Sequence, residues 1–488
     1  MASGLVSRTD RPNTWLLRPT LRRDRYLDNL EPSTHGPSRR LASCLSSSAS
    51  EVAGQQQLMQ IESRWFSFDR SSGAPMTEAI DTVIVGAGHA GLAASTYLTR
   101  HGIEHVVLER GRVAQRWRTE RWDSLVFQFP NWSLQLPGYA YQGTDPDGYA
   151  SKDEFVRFLE DYAATCRAPV RCNTEVTALR GSEGRSSMIL DTSRGVIEAK
   201  NVIVATGPFQ APKIPALSRD LPSEMFQIHS RDYRNPTQLP KGAVLVVGSG
   251  ASGTQIAEEL HRRGRKVFLA VGRFHKTPRR YRGRDFYWWF DKLGYWHTPL
   301  TAMPPESKNL RFVVTAIGGG HDVDLRRYAD DGIILAGRLK KADQQEVEFH
   351  DDLDRTLTEG DAWFAKFKRQ MDDYANQHEP TLPAEQDLPS PTRFGSNKLN
   401  GILRLNFRDE GISSVVWASG YSCDFSWIKS PIVDGNGDPI HERGVTNRSG
   451  LYFLGLRRTY SIGSALVAGA VNDAAYIADH VAANRLKH

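Results

Sequence analysis

Two segments of the chain share one order of hydrophobic and polar positions. In each, an apolar, β-branched run leads into a glycine-rich turn and then a helix-forming run: VIVGAGHAGLAAS at residues 83–95 and VLVVGSGASGTQIAEEL at residues 244–260. The spacing G-x-G-x-x-G between a strand pattern and a helix pattern is typical of a dinucleotide-binding unit. The repeat predicts an α/β fold with two Rossmann-like dinucleotide-binding domains.

The first glycine-rich turn and the acidic residue that follows it predict a flavin or NAD site. Gly86 allows the tight turn out of the strand, Gly88 lets the backbone approach a pyrophosphate, and Gly91 lets the helix pack closely on the strand. The phosphates are expected at the N–H groups that begin the helix. The next strand-like run, residues 105–108, ends at Glu109, which can accept ribose hydroxyls and would repel a 2′-phosphate.

The second copy ends in a base where the first ends in an acid. Gly248, Gly250 and Gly253 repeat the spacing, and the next strand-like run, residues 266–271, leads to Arg273. An arginine there fits the 2′-phosphate of NADPH, which it can hold with two hydrogen bonds. The pair therefore predicts a hydride donor site for NADPH and an acceptor site for FAD; the alternative is a glycine-rich turn that binds no nucleotide.

Later segments indicate how the two domains are connected. The buried-strand pattern NVIVATG ends in a small-residue turn where the backbone can pass close to a flavin, and VVWASGY repeats that turn further along. A strand and a long small-residue helix close the chain. We therefore expect a discontinuous FAD domain (residues 76–208 and 411–488) with the NADPH domain inserted (residues 209–410). Further cofactor-binding candidates are Ala205, Thr206, Gly207, Gly420, Asp473 and Trp117.

Two other regions carry helical or aromatic patterns. Residues 152–165 and 361–375 have helical spacing of apolar positions. A long segment, residues 282–400, interrupts the second domain, and its aromatic cluster FYWWFDKLGYW fits either a lid or an apolar cover over a core. We favour the cover.

The first 75 residues differ from the rest. They are rich in Arg and Ser, contain no Lys and lack sustained periodicity, which is typical of a disordered extension. A transit peptide is an alternative, but Asp10, Asp24, Asp28 and Glu31 interrupt the basic face that such a peptide needs. A third interpretation places the true start at Met76. We favour a disordered or non-native leader.

Composition excludes several classes of function. The formal charge of +6 is small for 488 residues. The basic run at residues 273–285 directly follows the second glycine turn, so we expect phosphate binding or a solvated basic face there, and no nucleic acid. The four cysteines, Cys44, Cys166, Cys172 and Cys423, form neither a redox pair nor a metal motif. No run approaches 18 apolar residues, so no membrane span is expected. We predict a cytoplasmic protein without a metal.

These residues resemble the flavin-containing monooxygenases, especially their YUCCA-like and CzcO-like branch, from residue 80 to about residue 484. The resemblance rests on both glycine turns and on the segments ATG, PRRYRGRD, ASGY and GLYFLGL. The family's linker motif falls on SEMFQIHSRDY at residues 223–233, where His229 and Tyr233 match but Ser223 and Met225 replace the usual Phe and Gly. The resemblance implies catalytic roles for His229, Tyr233 and Gln128; surface and strand-edge positions are the structural alternatives for His229 and Gln128.

The resemblance also implies an activity. NADPH would reduce FAD, O₂ would form a C4a-(hydro)peroxyflavin, and one oxygen atom would pass to a small organic substrate that is apolar or aromatic and contains nitrogen, sulfur or a carbonyl. The partners are then this substrate and O₂, with a homodimer left open. The alternatives are an NADPH-dependent flavin reductase or oxidase that does not oxygenate, and a nucleotide-sensing regulator.

Overall fold

The computed structural model describes residues 77–182, 187–308, 310–385, 399, 401–435 and 437–485. The predicted extension over residues 1–75 lies outside these residues, as does part of the segment at residues 282–400. Within the described residues the chain is a mixed α/β protein built on two main sheets.

The first sheet contains the first glycine turn. Its central strands β8, β1, β2 and β5 are parallel, β25 adds in parallel at β8, and β23, β24, β6 and β7 extend it with antiparallel pairs. The order along the main path is β23-β24-β25-β8-β1-β2-β5. The strands are β1 (Thr77–Val85), β2 (His105–Leu108), β5 (Val170–Arg171), β6 (Val176–Gly181), β7 (Met188–Thr192), β8 (Gly195–Val204), β23 (His441–Glu442), β24 (Val445–Thr446) and β25 (Leu451–Phe453).

The second sheet contains the second glycine turn and is fully parallel. Its five strands lie in the order β10-β21-β11-β12-β17. They are β10 (Phe226–His229), β11 (Ala243–Val247), β12 (Val267–Ala270), β17 (Ile334–Ala336) and β21 (Ile412–Trp417). Each sheet thus places a glycine turn at the carboxyl end of a central parallel strand, the position at which open α/β sheets bind ligands.

Strand β21 lies in a different sheet from the one we expected. A domain boundary at residue 410 places β21 in the second part of the first domain. In the structure, however, its residues hydrogen-bond to β11 and β10 of the second sheet. The chain therefore leaves the second sheet only after Trp417. The segment that returns to the first sheet begins in the turn that follows β21.

The described residues contain nine α-helices. Helices α1 and α9 pack along each other on the first sheet, and α4 follows β11 in the second. The helix predicted at residues 152–165 is α3, and the one predicted at 361–375 lies within α8. The helices are α1 (His89–Arg100), α2 (Gln115–Thr119), α3 (Lys152–Thr165), α4 (Ala251–Arg262), α5 (Phe286–Lys292), α6 (Pro305–Lys308), α7 (Leu325–Asp331), α8 (Leu353–His378) and α9 (Val467–Arg485).

The remaining strands form small sheets around these elements. A three-stranded sheet, β18-β19-β20, shares a hydrophobic cluster with one face of the second sheet, while α4 shares the cluster on the other face. The small-sheet strands are β3 (Gln135–Leu136), β4 (Tyr139–Ala140), β9 (Ala211–Pro212), β13 (His275–Lys276), β14 (Arg280–Tyr281), β15 (Arg284–Asp285), β16 (Phe312–Val313), β18 (Leu339–Ala342), β19 (Glu346–Phe349), β20 (Arg404–Asn406) and β22 (Tyr421–Ser422).

The aromatic cluster of the inserted segment is part of a core. Phe286, Trp289, Phe290 and Trp296 are at most 1 % exposed and belong to the hydrophobic cluster that contains buried residues of α1 and α9. Burying such large aromatic side chains removes a large apolar area from water, so the segment covers the helices of the first domain. This favours the cover over the lid.

Three further observations concern the cysteines, metal ligands and membrane spans. Cys166, Cys172 and Cys423 are free thiols. Among the residues that the structure describes, no cluster of His, Cys, Asp and Glu has the arrangement of a metal site. No described helix is long and apolar enough to cross a membrane.

Candidate functional site

In the first glycine turn, two glycines pack so closely against neighbouring backbone that a side chain would not fit. A Cβ atom at Gly91 would lie 2.0 Å from the carbonyl oxygen of Gly86, and one at Gly86 would lie 2.7 Å from the carbonyl oxygen of Ala205. Gly86 also has φ +113°, a conformation that side chains disfavour. The first and third glycines are therefore required by packing, and the predicted turn at Ala205 lies directly against the first loop.

The middle glycine of that turn has a different environment. A Cβ atom at Gly88 would meet nothing within 4 Å, so the space beside the start of α1 is open. Both carboxylate oxygens of Glu109 accept backbone hydrogen bonds, from Ala87 N at 3.0 Å and Gly111 N at 2.9 Å. The carboxylate thus lies at the loop, where its remaining lone pairs can accept ribose hydroxyls.

The second glycine turn repeats this geometry. A Cβ atom at Gly253 would lie 1.8 Å from the carbonyl oxygen of Gly248, and one at Gly248 would lie 2.5 Å from the carbonyl oxygen of Ala418. A Cβ atom at Gly250 would meet nothing within 4 Å. Each loop is therefore closed by its first and third glycines and by a small-residue turn, and is open at its middle glycine.

Arg273 lies beyond the second strand of this unit, as expected. Its side chain is exposed, and it has no hydrogen bond or ion pair with another described residue. The backbone before it is fixed, because Gly272 N donates to the hydroxyl of Ser249 at 3.1 Å. The end of the strand that precedes Arg273 is therefore bonded to the second glycine turn, and the guanidinium of Arg273 is free to bind a ligand.

His229 bonds to the protein through both ring nitrogens. Its Nδ1 accepts from Arg231 N at 3.1 Å, so its Nε2 carries the proton and donates to the carbonyl oxygen of Gly420 at 3.0 Å. Burial lowers its pKa, so the ring is neutral. The side chain joins the end of β10 to the turn after β21, which makes it a linker residue between neighbouring strand ends.

Tyr233 is likewise held inside the protein. It is fully buried, and its hydroxyl donates to Glu259 Oε2 of α4 at 2.7 Å. Burial raises its pKa, and Glu259 raises it further, so the phenol remains a hydrogen-bond donor. Ser124 donates to the other oxygen of Glu259 at 2.8 Å. Glu259 thereby connects the linker and the segment before Gln128 to the helix of the second glycine turn.

Replacing Tyr233 with phenylalanine is expected to lower the free energy of unfolding by about 1.5–3 kcal/mol, the usual contribution of a hydrogen bond to a charged group. Urea denaturation compared with the Ser124→Ala variant, which removes the second donor to Glu259, measures this. A large fall in kcat without a loss of stability would contradict the structural role.

The side-chain amide of Gln128 makes one local hydrogen bond and one hydrogen bond to α4. Its Nε2 donates to the carbonyl oxygen of Val126 at 2.7 Å, and its Oε1 accepts from Gln255 Nε2 of α4 at 2.7 Å. Arg279 donates to its backbone carbonyl at 2.8 Å. The structure thus brings Gln128 beside the helix of the second glycine turn.

The other predicted residues are less uniformly placed. Thr206 accepts from Gln210 Nε2 at 2.9 Å, which fixes the turn of Ala205, Thr206 and Gly207. Trp117 packs on Phe155 with ring centroids 4.4 Å apart. Asp473 lies beside Arg443, in a cavity whose lining residues include neither glycine turn. The cofactor-binding role expected for Asp473 therefore stays a prediction.

Sequence reasoning missed a cluster of arginines. The guanidinium groups of Arg457 and Arg121 both lie over the ring of Phe209, 5.0 and 5.3 Å from its centroid. Burial lowers the pKa of Arg457, and the positive charges of Arg311 and Arg458 lower it further. The positive charge of Arg273 likewise lowers the pKa of Arg458. These arginines form no ion pair among the residues the structure describes. The pair RR that directly follows GLYFLGL in the sequence could have indicated this cluster.

His89 was also missed. It occupies the first position of α1, and its buried Nε2 has no hydrogen-bond partner among the described residues. Burial lowers its pKa to about 4, so the ring is neutral at physiological pH. The signal was its place inside the glycine motif, between Gly88 and Gly91.

The geometry fits the two nucleotides that the sequence predicts. At each turn, free N–H groups begin a helix and face a space left open by the middle glycine, which suits a pyrophosphate. The first site adds the carboxylate of Glu109, and the second adds the unpaired guanidinium of Arg273. This donor set fits FAD at the first site and NADPH at the second.

Comparisons with known proteins agree with this geometry. Residues 83–283 match the family model described as pyridine nucleotide-disulphide oxidoreductase. An uncharacterized CzcO-like oxidoreductase of Geobacillus kaustophilus is 34% identical over 83% of this chain and 99% of its own. Indole-3-pyruvate monooxygenase YUCCA1 of Oryza sativa subsp. japonica is 34% identical over 40% of this chain and 49% of its own. A flavin-containing monooxygenase structure from Stenotrophomonas maltophilia has a TM-score of 0.57 at 17% identity, covering 84% of this chain and 99% of that one.

Proposed function

The chain belongs to the CzcO-like oxidoreductases of the flavin-containing monooxygenase family, and we propose that it uses NADPH, FAD and O₂ to insert one oxygen atom into a small organic substrate. The substrate class we propose is apolar or aromatic and contains nitrogen, sulfur or a carbonyl. The observation that carries the proposal is the repeated geometry of the two glycine turns, each closed by backbone approaches and open at its middle glycine.

The first site would hold FAD. The N–H groups at the start of α1 would bind the pyrophosphate, the open position of Gly88 would give it room, and Glu109 would accept the ribose hydroxyls. When bound, the flavin accepts a hydride from NADPH and activates O₂ for oxygen transfer. The turn at Ala205 packs on the same loop and would let the backbone pass near the cofactor.

The second site would hold NADPH. Gly250 leaves the start of α4 open for the pyrophosphate, and Arg273 would hold the 2′-phosphate. Arg311, Arg457 and Arg458 add positive charge next to Arg273, and this charge favours an anionic ligand over an empty site. Gln128 and Glu259 would keep α4 in register with the first domain.

The protein's own task would be to position the cofactors and exclude water. The buried aromatic residues Phe286, Trp289, Phe290 and Trp296 cover the helices of the first domain, and water exclusion protects reactive oxygen chemistry from hydrolysis and leakage. A disulfide reductase of the same fold would need a redox-active cysteine pair, but Cys166, Cys172 and Cys423 are free thiols and the sequence has no C-x-x-C.

Anaerobic reduction by NADPH followed by addition of ¹⁸O₂ tests the proposal. A monooxygenase transfers one labelled atom to an organic product when a suitable amine, thioether or ketone is present, and the yield of H₂O₂ falls in proportion. Stoichiometric H₂O₂ with every substrate of these classes would instead indicate a reductase or oxidase. A protein that binds FAD but never oxidises NADPH would indicate a regulator.

Replacing Arg273 with alanine is expected to raise the KM for NADPH about 10- to 100-fold and to leave the KM for NADH nearly unchanged. The reason is that only NADPH carries the 2′-phosphate, and a hydrogen bond to a charged group contributes about 1.5–3 kcal/mol. Steady-state kinetics with both coenzymes measures the effect, and the exposed Arg263→Ala variant in the same domain is the control. An equal loss with NADPH and NADH would refute the assignment.

A further inference from the structure

A cavity of about 390 Å³ lies beside α9, away from both glycine turns. Its walls include the aromatic residues Trp296, Tyr460 and Tyr476 and the charged residues Arg443 and Asp473. No residue of either glycine turn lines it. The cavity therefore requires an explanation separate from FAD and NADPH.

Asp473 has an unused acceptor in this cavity. Its side chain is 2% exposed, and its Oδ2 has no hydrogen-bond partner among the described residues. Burial raises its pKa, and the neighbouring Ser464 and Arg443 oppose that rise. A buried carboxylate oxygen without a partner is costly, so a ligand that donates a hydrogen bond there would be stabilised.

Arg443, which lies beside Asp473, has an unused hydrogen-bond donor. Its guanidinium lies between the rings of Tyr460 and Tyr476, 4.0 and 4.2 Å from their centroids, and its Nε is buried without a hydrogen-bond partner in the described part of the chain. The residue has φ +46° in the turn between β23 and β24. A side chain held between two rings loses little further freedom on binding a ligand.

The two charges form an ion pair that is longer than a hydrogen bond. Arg443 Nε lies 3.6 Å from Asp473 Oδ1, whereas the buried pair of Arg279 and Asp285 in the same protein makes contacts of 2.6–3.1 Å. A pair that served packing alone would be expected to close to hydrogen-bond distance, because unsatisfied buried charges are destabilising. The pair instead presents a donor and an acceptor side by side at the wall of a cavity.

We propose that this cavity binds a free α-amino acid, whose ammonium group bonds to Asp473 and whose carboxylate bonds to Arg443. The two groups of an α-amino acid are adjacent, as the unpaired acceptor and donor are, and both hydrogen bonds would be charge-assisted. The side chain of the amino acid would lie against Tyr476, which favours an apolar or aromatic one. The cavity volume is large enough for such a molecule.

Calorimetric titration of the full-length protein with L-phenylalanine, without NADPH, tests the site independently of the proposed reaction. We expect binding, and at least tenfold weaker binding of 2-phenylethylamine, which lacks the carboxylate, and of 3-phenylpropionate, which lacks the ammonium group. Equal binding of the three compounds would overturn the proposal. So would no binding of L-phenylalanine, L-tryptophan or L-leucine at about 10 mM, since a specific site of this kind should exceed millimolar affinity.

Two variants locate the binding. Asp473→Asn keeps the size of the side chain and should weaken L-phenylalanine at least tenfold, while the rim variant Asp479→Asn, whose carboxylate is paired with His101, should leave its affinity within about twofold. If Asp473→Asn does not fold, Arg443→Gln provides the same comparison through the carboxylate. Unchanged affinity in the folded variants would place the ligand elsewhere and refute the inference.

Discussion

Replacing Gly253 with alanine is expected to lower kcat/KM for NADPH at least a hundredfold while the purified protein keeps its FAD. The new Cβ atom would lie 1.8 Å from the carbonyl oxygen of Gly248, so α4 must move away from the loop that it closes. Because the N–H groups at the start of α4 would then no longer meet the pyrophosphate, binding energy for NADPH is lost. Steady-state kinetics and the flavin content of the purified protein measure the two parts of the result.

The mirror variant Gly91→Ala is the matched control. Its Cβ atom would lie 2.0 Å from the carbonyl oxygen of Gly86, which is the same conflict at the first loop. This variant is expected to purify without flavin, and NADPH binding measured by calorimetry should be retained. If Gly253→Ala lost flavin and Gly91→Ala lost NADPH, the assignment of the two nucleotides would be reversed. If both lost both, the loops would not be separate sites.

The elements that could be predicted from the sequence are the ones whose signals are local. Gly86, Gly88, Gly91 and Glu109 belong to one strand-turn-helix-strand unit, and the structure gives each the position that its spacing implied. Fixed geometry within about 25 residues leaves little freedom, so a motif predicts it well. The same holds for the second turn and Arg273.

The partners that lie far apart in the sequence could not be predicted. Strand β21 pairs with β11 across more than 160 residues, and a boundary drawn from local pattern placed it in the wrong sheet. The linker motif found His229 and Tyr233, but their partners Gly420 and Glu259 are set by how strands and helices meet in space. Parallel pairing and side-chain contacts between domains leave no periodic signal in one sequence.

Asp473 shows the same limit for the neighbours of a predicted site residue. The sequence places it on the long small-residue helix that closes the chain, as a cofactor-binding candidate. The structure pairs it with Arg443 from a hairpin 30 residues earlier, beside Tyr460 and Tyr476. A position in a motif therefore predicts which element a residue lies on, but the neighbours that decide its chemistry come from tertiary packing.

Replacing Asp285 with alanine is expected to lower the free energy of unfolding by about 3–5 kcal/mol, the usual cost of leaving one partner of a buried ion pair unpaired. Arg279 and Asp285 are 2% and 8% exposed. Asp285 also accepts from the hydroxyl of Tyr149 at 2.9 Å and caps α5 through Tyr287 N at 2.8 Å. Urea denaturation measures the change, with Asp191→Ala as control, because the Asp191 pair with Arg180 is largely exposed and should contribute less than about 1 kcal/mol.

The same variant connects stability with the proposed reaction. Arg279 also donates to the backbone carbonyl of Gln128, and α5 carries the buried aromatic residues Phe286, Trp289 and Phe290 that cover the first domain. If this cover excludes water, Asp285→Ala should release a larger share of reducing equivalents as H₂O₂ even at temperatures where the protein remains folded. An unchanged H₂O₂ yield in a destabilised but folded variant would show that the cover supports the fold and that water is excluded by other residues.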